Sequence, residues 1–89
     1  MVRHLEIFGQ VQGVGFRYRF SERALALGIT GWVRNRRSGS VEAMIAGAPD
    51  AIESLTDWAK RGPPAARVER VQIEAAEGSF SEFELLPTL

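Results

Sequence analysis

Cysteine is absent from this sequence of 89 residues, and histidine occurs once, at His4. A chain without cysteine can form no disulfide, no thiolate nucleophile and no metal site with sulfur ligands. A single histidine cannot make a zinc site or a histidine relay by itself, and on a strand it is more often a solvent-facing or edge residue. The sequence therefore predicts no metal site, and it excludes the enzyme classes that depend on cysteine.

Long apolar runs and an overall charge are lacking as well. There is no stretch of about 18 apolar residues and no signal-peptide pattern, so we expect neither membrane insertion nor secretion, and the cytoplasm is the predicted location. The formal net charge is zero, and the length suits one domain over residues 1–89. The charge is uneven, however, because the first 40 residues hold seven arginines against only Glu6 and Glu22. This imbalance favours an anionic ligand.

A glycine-rich segment from Gly9 to Arg17 joins a strand-like run to a helix-like one. Glycine permits positive φ and turns consecutive N–H groups toward one point, and the N-terminus of the following helix adds free donors and partial positive charge. In the first helical turn Arg17 is disfavoured by roughly 0.3–1 kcal/mol, which a bound anion would offset. Its planar guanidinium also matches two phosphate oxygens at once. The segment is therefore predicted to hold a phosphate-like group.

Nucleotide motifs do not fit this segment. A P-loop would end in Gly-Lys-Ser or Gly-Lys-Thr, whereas here Gly15 is followed by a phenylalanine and Arg17. A dinucleotide fingerprint would need glycine or alanine at Tyr18. The serines have no partner base except the isolated His4, and no spaced pair of carboxylates indicates acid–base catalysis. What remains is an anion site without a nucleotide signature.

One polar amide, Asn35, lies at the end of a predicted strand. In the order Gly31, Val33, Asn35 it interrupts an apolar face where core packing alone would favour another valine. These residues alone leave two interpretations equally open. Asn35 either ends the strand or belongs to the site.

Hydrophobic periodicity predicts seven elements. The first is a strand with Leu5 and Ile7 buried, and the second a helix from Phe16 to Leu27. Two strands joined as a hairpin follow near residues 30–36 and 41–46, then a helix that Pro49 opens, a strand over 68–75 and a short one within 80–86. This order predicts an α+β, ferredoxin-like βαββαβ sandwich. We expect an antiparallel sheet with both helices on one face and a short additional C-terminal strand.

The runs from Val11 to Arg17 and from Leu27 to Asn35 resemble the signature of the acylphosphatase family, and residues 39–42 and 62–68 extend the similarity over nearly the whole chain. The resemblance implies the same ferredoxin-like fold. It also implies hydrolysis of the carboxyl–phosphate bond of small acyl phosphates without metal or cofactor, and inorganic phosphate as product and competitive inhibitor.

The resemblance also implies roles for individual residues. In the family the arginine of the Gly-Phe-Arg motif binds the phosphate, and the asparagine of the Gly-Trp-Val-x-Asn run positions the attacking water. Those roles match Arg17 and Asn35 here, which are the predicted catalytic residues. The predicted phosphate-binding residues are those of the loop and the arginine: Gln10, Val11, Gln12, Gly13, Val14, Gly15 and Arg17.

Some positions depart from the family pattern, and other functions stay open. Ser38 stands where many members have aspartate, Arg36 where a small residue is frequent, and the C-terminal tail lacks a basic or aromatic ending, so a tail contribution to the site is an open question. The alternatives are a non-catalytic phosphate- or nucleic-acid-binding module of the same fold, or an accessory domain as in larger maturation proteins. The third strand has no aromatic residue of the kind an RNA-recognition motif presents. We expect a free-standing monomer without nucleic-acid or membrane partners.

Overall fold

Five strands and two helices follow one another in the predicted order, in a computed structural model that describes residues 1–89. The predicted ferredoxin-like plan is confirmed, with small shifts in the element ends: the second strand ends at Asn35 and the fourth begins at Arg67, each one residue earlier than predicted. The first helix stops one residue earlier than expected, and the last strand is only three residues long. The elements are β1 (Val2–Gln10), α1 (Phe16–Ala26), β2 (Thr30–Asn35), β3 (Val41–Ala46), α2 (Pro49–Arg61), β4 (Arg67–Ala75) and β5 (Phe83–Leu85).

The strands lie side by side in the order β4-β1-β3-β2-β5. Neighbours among the first four strands are antiparallel, as predicted, but β5 pairs with β2 in parallel and makes the sheet mixed. The reason lies in the path of the chain. Strand β4 ends beside the start of β1, at the same end of the sheet where β2 begins. Residues 76–82 then lead to the opposite edge, and β5 can run only in the direction of β2.

One face of the sheet is covered by both helices. Buried side chains alternate along β1, β2 and β3, and they recur every three to four residues in the helices, so a single core forms between sheet and helices. Trp58 of α2 is half-buried and packs against this core, with its ring centroid 5.3 Å from that of Phe16. Neither helix is long and apolar enough to cross a membrane. The core side chains are Leu5, Ile7, Val11, Phe16, Phe20, Ala24, Ile29, Val33, Val41, Ala43, Ile45, Ile52, Leu55 and Ala59.

The end of β1 is shaped so that the glycine-rich loop leaves the sheet beside the end of β2. The pairing of β1 with β4 shifts between Phe8 and Gly9, which marks a β-bulge. Gly9 has φ +127°, and a Cβ there would overlap the backbone oxygen of Arg67. Only glycine fits at this close approach of two backbones. At the other end of the loop, the fully buried Phe16 ties the first turn of α1 to the core.

Candidate active site

A cavity of about 300 Å³ opens between the glycine-rich loop, the start of α1 and the end of β2. It brings together both predicted catalytic residues and most of the predicted loop. Two loop residues do not line it, because Gln10 is the exposed last residue of β1 and Val14 packs against the core. The lining residues are Val11, Gln12, Gly13, Gly15, Phe16, Arg17, Tyr18 and Asn35.

The loop backbone presents hydrogen-bond donors without partners. Gly13 and Gly15 adopt left-handed conformations, with φ of 73° and 79°. Gly15 is the N-cap of α1, so no side chain caps the helix, and its first turn has no acidic residue. No N–H group from Gln12 to Tyr18 donates to another protein group. Free donors at a helix N-terminus carry partial positive charge. The loop can therefore donate several hydrogen bonds to an oxyanion.

Arg17 lies at the edge of this donor array and is held by the C-terminal tail. Its Nη1 donates to the backbone oxygen of Leu86 at 3.2 Å. This single bond leaves the other guanidinium donors available to a ligand. The tail therefore contributes to the site, which the sequence had left open. It does so through a carbonyl group, so no side-chain motif could have identified Leu86.

Asn35 ends β2 on the side of the sheet that faces the helices, in line with Gly31 and Val33. Its side-chain Oδ1 is the one buried side-chain polar atom without a hydrogen-bond partner in the protein. Leaving such an acceptor unsatisfied costs roughly 1–3 kcal/mol. Its backbone oxygen, in contrast, accepts from the N–H of Leu89 at 3.1 Å. The backbone of Asn35 is thus fixed by the tail, while its side-chain oxygen is ready to accept a hydrogen bond from a small ligand or water.

A buried carboxylate, Glu42, lies on the other face of the sheet. It accepts from His4 Nε2 at 2.7 Å, Arg34 Nε at 2.8 Å and Arg36 Nη1 at 3.0 Å. Burial by itself raises the pKa of Glu42, but the hydrogen bonds from His4, Arg34 and Arg36 and the charge of Arg34 outweigh it and lower the pKa to about 2. Arg34 and Arg36 are therefore held by Glu42 on the opposite face of the sheet, and the cation that lines the cavity is Arg17.

His4 lies in a central strand of the sheet, so the expected edge position is wrong. Its side chain is partly exposed, at 29%, on the face opposite the helices. His4 instead contacts Glu42 across the pair formed by β1 and β3. No three His, Asp or Glu side chains lie close enough together to hold a metal ion.

The fold and the site together define the class of protein: an α+β ferredoxin-like domain with a cavity suited to an oxyanion. The sequence model of one protein family, described as Acylphosphatase, matches residues 3–85 of this chain. The chain belongs to the acylphosphatase family, as its sequence pattern predicted. Family membership supports the predicted enzyme class, a hydrolase of acyl phosphates.

Individual relatives are similar to this chain in sequence and in structure. The chain is 49% identical over 86 residues to the acylphosphatase of Cupriavidus pinatubonensis, with 97% of this chain and 96% of that protein covered. The structure of an acylphosphatase from Coxiella burnetii is similar with a TM-score of 0.91 and 38% identity over 96% of this chain and 90% of that one. Full-length HypF is similar with a TM-score of 0.90 and 29% identity over 98% of this chain, but over only 12% of its own length.

Proposed function

We propose that this member of the family hydrolyses the carboxyl–phosphate bond of small acyl phosphates to a carboxylate and inorganic phosphate. One observation carries the proposal: Asn35, whose buried Oδ1 is unpaired, lines the same cavity as Arg17 and a loop of unpaired N–H donors. The donors suit phosphoryl oxygens. The amide oxygen suits the water that attacks the phosphorus.

In the proposed complex the phosphoryl group is bound by Arg17 and by the unpaired backbone N–H groups of the loop residues that line the cavity, Gln12, Gly13 and Gly15. The guanidinium can pair with two phosphoryl oxygens at once, which fixes their orientation as well as neutralising charge. The carbonyl of Leu86 restrains Arg17 before substrate arrives. Donors held in place in this way need little reorganisation when charge shifts onto the phosphoryl oxygens during the reaction.

Asn35 is proposed to hold water in line with the scissile bond. Water donates a hydrogen bond to Oδ1 and attacks phosphorus as the phosphorus–oxygen bond to the acyl group breaks, and the bonding electrons leave with the carboxylate. The two water protons remain with the product as dihydrogen phosphate, so the overall step needs no protein base. Phosphoryl transfer has a loose transition state with little bond formation to the nucleophile. This agrees with a cavity lined by no carboxylate and no imidazole.

The proposal also includes several properties that follow from the family resemblance. Hydrolysis should need no metal or cofactor, and inorganic phosphate should compete with substrate. We also propose that residues 1–89 work as a single-domain monomer in the cytoplasm, without a nucleic-acid partner.

The test is hydrolysis of benzoyl phosphate in the presence of EDTA, compared with p-nitrophenyl phosphate, a phosphate monoester. Because the proposed site supplies no acid for a poor leaving group, we expect rapid hydrolysis of the acyl phosphate and little of the monoester. Equal rates on both substrates, or no hydrolysis of benzoyl phosphate, would overturn the proposal. Size-exclusion chromatography of the same sample tests the monomer.

Asn35→Ala should lower kcat on benzoyl phosphate by about 10²–10³-fold, the usual cost of removing one preorganised polar group. Inhibition by inorganic phosphate should remain within about threefold of wild type, because the loop donors and Arg17 remain in place. Steady-state kinetics with phosphate as inhibitor measure both quantities. A variant with wild-type turnover would refute the water-positioning role.

Arg17→Ala should abolish phosphate inhibition and lower kcat/KM by at least about 10³-fold, since it removes the only cation that lines the cavity. The matched control is Arg19→Ala. The side chain of Arg19 is 63% exposed, and its one ion pair, with Glu22, is long at 3.9 Å. Its loss should therefore leave kinetics and stability unchanged. Phosphate binding by the Arg17 variant at wild-type affinity would contradict the assignment.

A further inference from the structure

The side chain of Gln12 crosses from the glycine-rich loop to the connection between β2 and β3. Its Nε2 donates to the backbone oxygen of Arg36 at 2.6 Å and to that of Ser40 at 2.8 Å. An amide nitrogen has only two N–H groups, so both donors of Gln12 are used. Its side chain therefore offers no donor to a ligand in the cavity. Its backbone N–H remains unpaired.

Both acceptors of Gln12 belong to a segment that is itself firmly held. The N–H of Arg36 donates to the oxygen of Ser40 at 2.8 Å, which closes the hairpin directly after Asn35. The side chain of Arg36 is bound to Glu42. Ser40 is 3% exposed, and its hydroxyl donates to Glu6 Oε2 at 2.6 Å. Gln12 thus links the glycine-rich loop to a segment anchored on the sheet.

We propose that Gln12 is a positioning residue that sets the distance between the phosphate loop and Asn35. The loop carries the N–H donors, and Asn35 immediately precedes Arg36, the first acceptor of the Gln12 side chain. The other hydrogen-bonded connection near the cavity runs through the C-terminal tail, which contacts Arg17 and the backbone of Asn35. This inference rests on the proposed function, since it assigns the two sides of the cavity to phosphate and water.

Turnover should depend on the Gln12 link because in-line attack is sensitive to the relative position of water and phosphorus. In-line attack requires water and phosphorus to be about 3–3.5 Å apart with the correct alignment, and a misplacement of about 1 Å can cost 10²-fold in rate. Binding of phosphate alone requires only the loop and Arg17. Loss of the Gln12 link should therefore lower kcat much more than it weakens phosphate binding.

The experiment uses Gln12→Met, which keeps the side-chain size and removes both donors, and Gln12→Glu, which places a carboxylate against the two carbonyls. The matched controls are Gln72→Met and Gln72→Glu, because Gln72 is exposed on β4 and its one hydrogen bond, 3.5 Å long, goes to Glu74. We measure kcat and KM on benzoyl phosphate and the inhibition constant of inorganic phosphate.

Both Gln12 variants should lower kcat at pH 7 by about 10–100-fold, with the phosphate inhibition constant changed by less than about threefold. Below about pH 5 the carboxyl of the Gln12→Glu variant becomes protonated and regains one donor. Its kcat relative to wild type should then rise at least about threefold, whereas the relative kcat of Gln12→Met and of both Gln72 variants should stay constant with pH.

Two results would overturn the inference. One is a wild-type kcat in Gln12→Met. The other is an equal loss of kcat and phosphate affinity with no recovery of Gln12→Glu in acid, which would mean that Gln12 serves only the phosphate loop. Failure of the proposed function is recognised separately, because wild-type protein would then not hydrolyse benzoyl phosphate. If one Gln12 variant does not fold by circular dichroism, the other still decides the result.

Discussion

Glu42 should stabilise the fold by about 3 kcal/mol above pH 5 and by almost nothing at pH 2. The carboxylate is 8% exposed and accepts hydrogen bonds from His4, Arg34 and Arg36, which hold its pKa at about 2 against an ordinary value of 4.5. Each pH unit of difference between folded and unfolded pKa is worth ~1.4 kcal/mol. The arrangement joins β1, β2 and β3 on the sheet face opposite the helices.

The sign follows from the lowered pKa of the folded state. At pH values above 4.5 the carboxylate is ionised in both states and its full contribution to the free energy of unfolding is present. As the pH falls from 4.5 toward 2, the unfolded chain binds a proton that the folded chain does not, and the free energy of unfolding decreases. About 3 kcal/mol should be lost between pH 5.5 and pH 2.

The assay is urea unfolding at several pH values from 5.5 to 2, with wild type, Glu42→Gln and the control Glu84→Gln. All proteins lose stability in acid through their other carboxyl groups. The difference in free energy of unfolding between wild type and Glu42→Gln should shrink by about 3 kcal/mol over this range, whereas the difference for Glu84→Gln, an exposed residue of β5, should stay constant. A constant difference for Glu42→Gln would refute the reasoning.

Two further changes test features that position the site. Gly9→Ala should destabilise the protein by about 3 kcal/mol in urea unfolding, because the new methyl overlaps the backbone of Arg67 at a positive φ; wild-type stability would contradict this close approach. Removing the last two residues deletes the bonds from Leu89 N to Asn35 O and from Arg37 N to Leu89 O. It should lower kcat on benzoyl phosphate by about 10-fold, and unchanged kinetics would show that the tail does not orient Asn35.

Much of the fold could be predicted because local patterns and tertiary packing agree. The alternation of Leu5 and Ile7 and the helical spacing of Phe16, Phe20 and Ala24 place the same side chains in the core that the structure buries. The sequence of each helix or strand shows which of its faces is buried, and the order of the elements then limits the possible topologies. The cavity could be located for a similar reason, since its loop lies within one continuous glycine-rich segment.

The remaining features depend on contacts that no local pattern records. The parallel pairing of β5 follows from where β4 ends, and the contact of Arg17 with Leu86 joins residues 69 positions apart through a carbonyl that every residue type has. The group formed by Glu42 with His4 and Arg34 required the register of β1, β2 and β3. Period-two alternation gives the face of each strand, but it does not identify the residues opposite one another.

The unpaired N–H groups between Gln12 and Tyr18 have a consequence for how mutations affect the cavity. A donor that belongs to the main chain cannot be deleted by changing a side chain, except by proline, which has no N–H. Most single substitutions in this segment therefore act through loop shape and leave the donors themselves in place. Side-chain chemistry at the cavity is concentrated in Arg17 and Asn35. Substitutions that damage function should accordingly be concentrated at Arg17, at Asn35, at the positioning residue Gln12, and at glycines such as Gly13 and Gly15, whose left-handed conformations set the direction of the donors.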